Sequence, residues 1–125
     1  MEIRDNLLYT KTHEWVLKKN GVVRIGITDH AQESLTDVVY VELPEVGKDF
    51  KKGEVMATLE SVKSVAEVYA PVTGKITAVN EKLNDEPGLI NSSPYDDGWI
   101  VEMSIENEDE LKELLSAEEY AKIIE

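Results

Sequence analysis

Cysteine is absent from the 125 residues, which excludes a disulfide framework, a thiolate metal site and a catalytic thiol. Any sulfur redox chemistry has to arrive on a cofactor. Basic residues are scarce: 13 Lys and Arg against 26 Asp and Glu leave a formal charge of −13. That balance disfavours nucleic acid and anionic membranes and favours basic protein surfaces as partners. No apolar run approaches the ~20 residues that span a bilayer. The acidic start Met1-Glu2-Ile3-Arg4-Asp5 fits neither a signal nor a transit peptide, so a cytoplasmic location is expected.

What is there suits one domain over residues 1–125, with a core over about 20–105 and a helical tail over about 107–125. At 42% hydrophobic, such a chain buries roughly two thirds of its unfolded surface. Period-two alternation bounded by Gly, Pro or Asn predicts strands at Val22 to Ile27, Val38 to Leu43, Val55 to Glu60, Val65 to Tyr69, Lys75 to Val79 and Trp99 to Ile105. Many short strands imply a mainly β fold, a small barrel or sandwich. In the third strand Val55, Ala57 and Leu59 are expected to share a face. Turn residues separate the strands, and a longer loop is expected from Asn84 to Gly98. Gly21-Val22-Val23-Arg24-Ile25 and Gly74-Lys75-Ile76-Thr77-Ala78 form a weak internal echo.

Helices are secondary. Asp29 with Gln32 predicts an N-cap and one or two helical turns to about Leu35. Asn107 with Glu110, and Ser116 with Glu119, are two capping-box patterns. Each heads an apolar stripe at helical spacing, first Leu111, Leu114 and Leu115, then Tyr120, Ile123 and Ile124. The acidity of Glu108, Asp109 and Glu110 suits a helix N-terminus, not a metal site. Two histidine pairs invite misreading. His13 beside Glu14 could suggest a small hydrolase, but strand neighbours face opposite sides and no nucleophile motif accompanies them. His30 beside Asp29 more simply begins a helix and packs locally. Asp96-Asp97-Gly98 lacks the alternating spacing of a calcium loop, so no metal site and no catalytic residue is expected.

Glu60-Ser61-Val62-Lys63-Ser64 is different. The chain must reverse there between two strands, yet tight turns favour Gly, Asn or Asp, and this tip offers β-branched Val62 and a long lysine. An apolar residue beside a lysine at an exposed tip suggests a surface that a partner reads. The plain alternative is a solvating lysine on a loose turn.

That segment, with Glu67-Val68, Ala70-Pro71-Val72 and Gly74-Lys75-Ile76 after it, resembles the lipoyl-lysine hairpin of biotinyl/lipoyl carrier domains. More narrowly it resembles the H-protein family of glycine cleavage. Tyr9 with His13-Glu14-Trp15, Gly26 to Gln32, Val41-Glu42-Leu43-Pro44 with Gly47, Leu89 to Tyr95, Gly98-Trp99 and the helical tail extend the likeness along nearly the whole chain. One departure is Ser64, where the family usually has Ala after the lysine. Biotin carriers place methionine on both sides of the modified lysine, so Val62 and Ser64 favour lipoate.

The resemblance implies a barrel-sandwich hybrid with a short internal helix and C-terminal helices. It also implies a lipoyl group on Lys63, with Glu60, Ser61, Val62 and Ser64 forming the hairpin that a lipoate ligase or a lipoyl/octanoyl transferase reads. Such a protein is a carrier and not an enzyme. It takes an aminomethyl group from glycine decarboxylase (P protein) to a tetrahydrofolate-dependent aminomethyltransferase (T protein), and dihydrolipoyl dehydrogenase (L protein) reoxidises the arm. The loaded arm ends in an ammonium that water can attack at its carbon, so shielding is expected from a cleft containing Thr12, Glu14, Glu67 and His30. The alternatives are a lipoate or octanoate relay, in which Lys63 serves identically, and an unmodified interaction module of the same fold.

Overall fold

The computed structural model describes residues 2–124. Its strands are β1 (Leu8–Tyr9), β2 (Glu14–Lys18), β3 (Val22–Ile27), β4 (Val38–Glu42), β5 (Asp49–Phe50), β6 (Val55–Ser61), β7 (Val65–Tyr69), β8 (Gly74–Val79) and β9 (Val101–Ser104). One sheet has the order β1-β2-β3-β9-β8-β5 and the other β4-β6-β7. Their apolar faces meet in a core that includes Val23, Ile25, Val41, Leu59, Val68, Ile76 and Met103. The expected mainly β sandwich is borne out. The two echoing segments become the neighbours of one strand: β3 and β8 flank β9, and Val23 and Ile76 both stand opposite Met103. Gly74, which leads the second echo, has no room for a side chain, since a Cβ there would lie 1.8 Å from the Ser104 carbonyl oxygen.

The predicted strands appear with small changes of boundary, but three short strands, β1, β2 and β5, lacked a readable alternation. The face expected for the third predicted strand is corrected. The β6–β7 register shifts between Val55 and Ala57, so Val55 turns outward while Met56, Ala57 and Leu59 are buried. A bulge places two consecutive residues against one partner, which breaks strict alternation. The expected Asn84 to Gly98 loop instead contains short helices α2 (Lys82–Asp85, begun just before it) and α3 (Leu89–Ser92), each fastened by one fully buried residue, Leu83 and Ile90.

Helix α1 (Asp29–Leu35) is capped by Thr28, whose hydroxyl accepts the Ala31 amide, and not by Asp29. Asp29 Oδ1 instead accepts from Gln32 Nε2 at 2.7 Å. In the tail, the Ser116 capping box heads α4 (Ala117–Ile123) as expected. The first box does not form. Residues Glu108–Glu113 make a 3₁₀ turn, and the Glu110 carboxylate accepts from the Thr73 amide at 2.7 Å and the Thr73 hydroxyl at 2.9 Å. A tertiary partner has taken the carboxylate that a capping box needs. Its leucine stripe is divided too, with Leu111 and Leu114 against the main core and Leu115 against a second one.

That second core joins Tyr9, Trp15, Tyr95, Ala117 and Tyr120. Tyr9 and Tyr120 stack at 4.6 Å between centroids with planes 6° apart. Tyr120 then reaches through its hydroxyl to His13 Nδ1 and to Thr28 Oγ1, both at 2.7 Å. The C-terminal helix is thereby built into the floor beneath β2 and α1.

Candidate functional site

Antiparallel β6 and β7 project a three-residue tip, Val62-Lys63-Ser64. No glycine is needed because Ser61 organises the turn. Its hydroxyl accepts from the Lys63 amide at 3.2 Å and the Ser64 amide at 3.0 Å, and the Ser61 amide donates to the Ser64 carbonyl at 2.8 Å. A serine side chain bonding backbone amides two and three residues on does here what a special φ angle does elsewhere. The Val62 amide donates to Asp37 O at 3.1 Å, which ties the tip to the start of β4. Lys63 is exposed, and among the described residues it enters no ion pair. Its amine is open to a reagent from solvent.

Below the tip lies a cleft of about 220 Å³, lined by Thr12, His13, His30, Leu59, Ala66 and Glu67 among others. Leu59 and Ala66 face each other across β6 and β7, so the cleft opens on the hairpin that carries Lys63. At ~3.3 Å per strand residue, Glu67 stands roughly 13 Å along the chain from Lys63. Three of the four cleft residues expected from sequence, Thr12, His30 and Glu67, line it together.

Glu14 is brought close but behind the wall. It is 1% exposed, and its carboxylate accepts from the Thr10 and Thr12 hydroxyls and, at 3.2 Å, from the Tyr69 amide. Burial raises its pKa, against the lowering pull of those donors. Tyr69 was not anticipated. Its backbone amide serves Glu14 while its hydroxyl donates to Glu67 at 3.2 Å, so it links the two carboxylates. Its place two residues after Glu67, on the same strand face, was the available signal.

His13 also belongs to the wall. It adopts φ 69°, in the left-handed region where His is one of the tolerated residues, and its ring lies 4.8 Å from that of His30. Burial, and then the neighbouring His30, lower its pKa. The Nδ1 atom of His30 is buried without a hydrogen-bond partner, an unusual state for an interior polar atom. His13 and Glu14 do not form a dyad, since the imidazole bonds Tyr120 and the carboxylate bonds the threonines. Among the described residues no three His, Asp or Glu side chains converge to hold a metal, and no helix is long and apolar enough to cross a membrane.

Two facing sheets, with a rigid hairpin that ends in an open lysine, define a small β domain of the biotinyl/lipoyl carrier architecture. Comparison with known proteins narrows the class. The Glycine cleavage H-protein family profile matches residues 7–125. The chain is 59% identical over 112 residues to the glycine cleavage system H protein of Thermotoga maritima, covering 90% of each. It is 53% identical over 125 residues, all of each chain, to that of Listeria monocytogenes serotype 4a. The crystal structure of a glycine cleavage system H protein from Mycobacterium marinum superposes with a TM-score of 0.85 at 37% identity, over 96% of this chain and 97% of that one. The chain belongs to the glycine cleavage H-protein family.

Proposed function

We propose that Lys63 carries a covalent lipoyl group and that the protein, as one carrier domain over residues 1–125, bears the aminomethyl group of glycine between the enzymes of glycine cleavage. The single observation that carries this reading is an exposed lysine, in no ion pair among the described residues, held by Ser61 at the apex of a hydrogen-bonded hairpin. The family to which the chain belongs supports it. The residues fit the group: amide formation needs an accessible amine, and among the described residues no ion pair competes for it. When bound, the lipoyl group supplies the sulfur redox couple that a chain without cysteine lacks.

The chain's own residues then have three tasks. Lys63 tethers the arm, which keeps it at millimolar-scale effective concentration beside a docked enzyme. Thr12, His30 and Glu67 line the cleft, where the exposed Glu67 carboxylate offers an acceptor to an ammonium and the apolar walls exclude water. Glu14 acts through Thr12, which it holds from behind. The acidic surface suits docking on basic patches of the P, T and L proteins, an attraction that salt weakens.

Intact mass after co-expression with a lipoate ligase tests the reading. One lipoyl amide per chain is expected, and none on Lys63→Arg; an unchanged wild-type mass, or a modified Lys63→Arg protein, would overturn it. With glycine and purified decarboxylase, the modified protein is expected to support carboxyl exchange, whereas a relay-only protein would not.

A further inference from the structure

The strand beside the lysine tip is irregular. Its register with β6 shifts between Val38 and Tyr40. In an unbroken strand Val39 and Tyr40 would face opposite sides of the sheet, but here both are exposed, at 54% and 52%, while Val38 and Val41 on either side are buried. Val62 and Val65 are exposed at 66% and 62%. Of the seven large hydrophobic residues exposed among the described residues, Val39, Val62 and Val65 share one depression with Lys63, and Tyr40 follows Val39 on β4. An open depression of about 380 Å³ runs over Val39, Val62, Lys63 and Val65, and Tyr40 and Val65 both stand opposite Glu60. Grouped apolar residues with no interior to fill mark a contact surface.

Its rim is acidic. Asp37, Glu60 and Glu67 are exposed, and among the described residues none of them enters an ion pair. The patch therefore has an apolar centre, one cation at Lys63, the Glu60 carboxylate in its lining and two further carboxylates close by, Asp37 where the chain bonds the tip and Glu67 two residues beyond Val65 on β7, none of them paired with a cation among the described residues.

We infer that the shelf formed by Val39, Tyr40, Val62 and Val65 is the docking surface for the enzyme that acylates Lys63; this rests on the lipoyl reading above and names the partner of that same site. An enzyme working through an acyl-adenylate has to bring the acyl carbonyl carbon to Nζ. The deprotonated amine attacks that carbon, the C–N bond forms, the C–O bond to the adenylate breaks, AMP leaves with the electron pair, and the original ammonium gives up two protons. Such an enzyme presents an apolar acyl channel, and cationic groups that hold the adenylate phosphate, at one mouth. Those two features complement the shelf and its rim, and they cannot reach Nζ without covering Val39 and Val62.

The test is the steady-state kinetics of a purified lipoate ligase supplied with ATP and octanoate, acting on the full chain and followed by intact mass. The Val39→Ser/Tyr40→Ser double variant is expected to lose about tenfold in kcat/KM, mostly through KM. The shape-keeping pair Val39→Ile/Tyr40→Phe is expected to retain wild-type kcat/KM, and a small octanoyl N-hydroxysuccinimide ester is expected to label Lys63 of all three proteins at one rate. Equal kcat/KM for the serine double variant and wild type would overturn the shelf and leave Lys63 as the attachment site. A loss shared by the shape-keeping pair, or by the small ester, would overturn it too. Octanoylation of Lys63→Arg would instead defeat the lipoyl reading itself.

Discussion

Asn91 holds Val38 in place: its Oδ1 accepts the Val38 amide at 2.9 Å, while its Nδ2 donates to the Thr36 carbonyl at 2.6 Å and to Gln32 Oε1 at 3.1 Å. One side chain on α3 thus clamps the turn between α1 and β4. Thr36 there takes φ 61°, a costly conformation for a β-branched residue that persists only where its surroundings impose it. The next residue, Asp37, supplies the carbonyl that receives the Val62 amide of the lysine tip.

The clamp predicts a remote effect. Asn91→Ala removes three hydrogen bonds and is expected to cost about 1–3 kcal/mol of stability. Hydrogen exchange adds a readout that a generic destabilisation would not give. The Val38 and Val62 amides should lose protection beyond the global change, whereas Val23 in β3 should follow it. Uniform loss across all three would show that Asn91 does not position the tip.

Ser61→Ala tests the organisation of the hairpin. The bonds are solvent-exposed, so the stability loss should sit near the low end of about 0.5–1.5 kcal/mol. The larger effect should fall on modification: the initial rate of Lys63 lipoylation should drop several-fold and return in Ser61→Thr, which restores the hydroxyl. Equal rates for Ala and wild type would assign Ser61 no role in presenting the lysine.

Gly74 and Gly88 offer a matched pair. A Cβ at Gly74 meets the Ser104 carbonyl oxygen, whereas one at Gly88 has no other residue's atoms within 4 Å apart from its chain neighbours. Gly74→Ala must therefore push β8 from β9 and is expected to lose about 1–3 kcal/mol or more. Gly88→Ala should stay within about 0.5 kcal/mol of wild type. Thermal melts that fail to separate the two would contradict the packing at the β8–β9 junction.

The burial of Glu14 carries a pH signature. Its folded pKa is raised above the ordinary value of 4.5, so between 4.5 and that raised value the folded state keeps a proton the unfolded chain has released. The Glu14 contribution to stability is fully present below this window and declines as pH rises through it. Glu14→Gln does not titrate. The stability of wild type minus that of the variant, from urea melts, should fall with rising pH across the window, and a flat difference would exclude burial as the dominant influence on the carboxyl.

Much of the architecture was legible in local pattern. Strands β3 and β7 match their predicted limits because alternation there survives pairing unchanged, and the Gly-led echo becomes the pair of strands around β9. Lys63 stood out through turn chemistry, since Val62 and Lys63 are poor choices for a tight reversal unless something else dictates them. Where the pattern misled, a distant partner had intervened. Glu110 bonded Thr73 in place of its own helix end, and the bulge at Val55 turned Met56 inward.

Periodicity and turn residues belong to the chain alone, and they determined a mainly β fold with a lysine at an exposed tip. Which residues surround that lysine was decided only when α3, β4 and α4 packed. The Asn91 clamp, the outward pair Val39 and Tyr40, the His13–His30 contact and the burial of Glu14 all join residues far apart in sequence. Hydrogen bonds and desolvation depend on distance in space, and local order along the chain does not encode it.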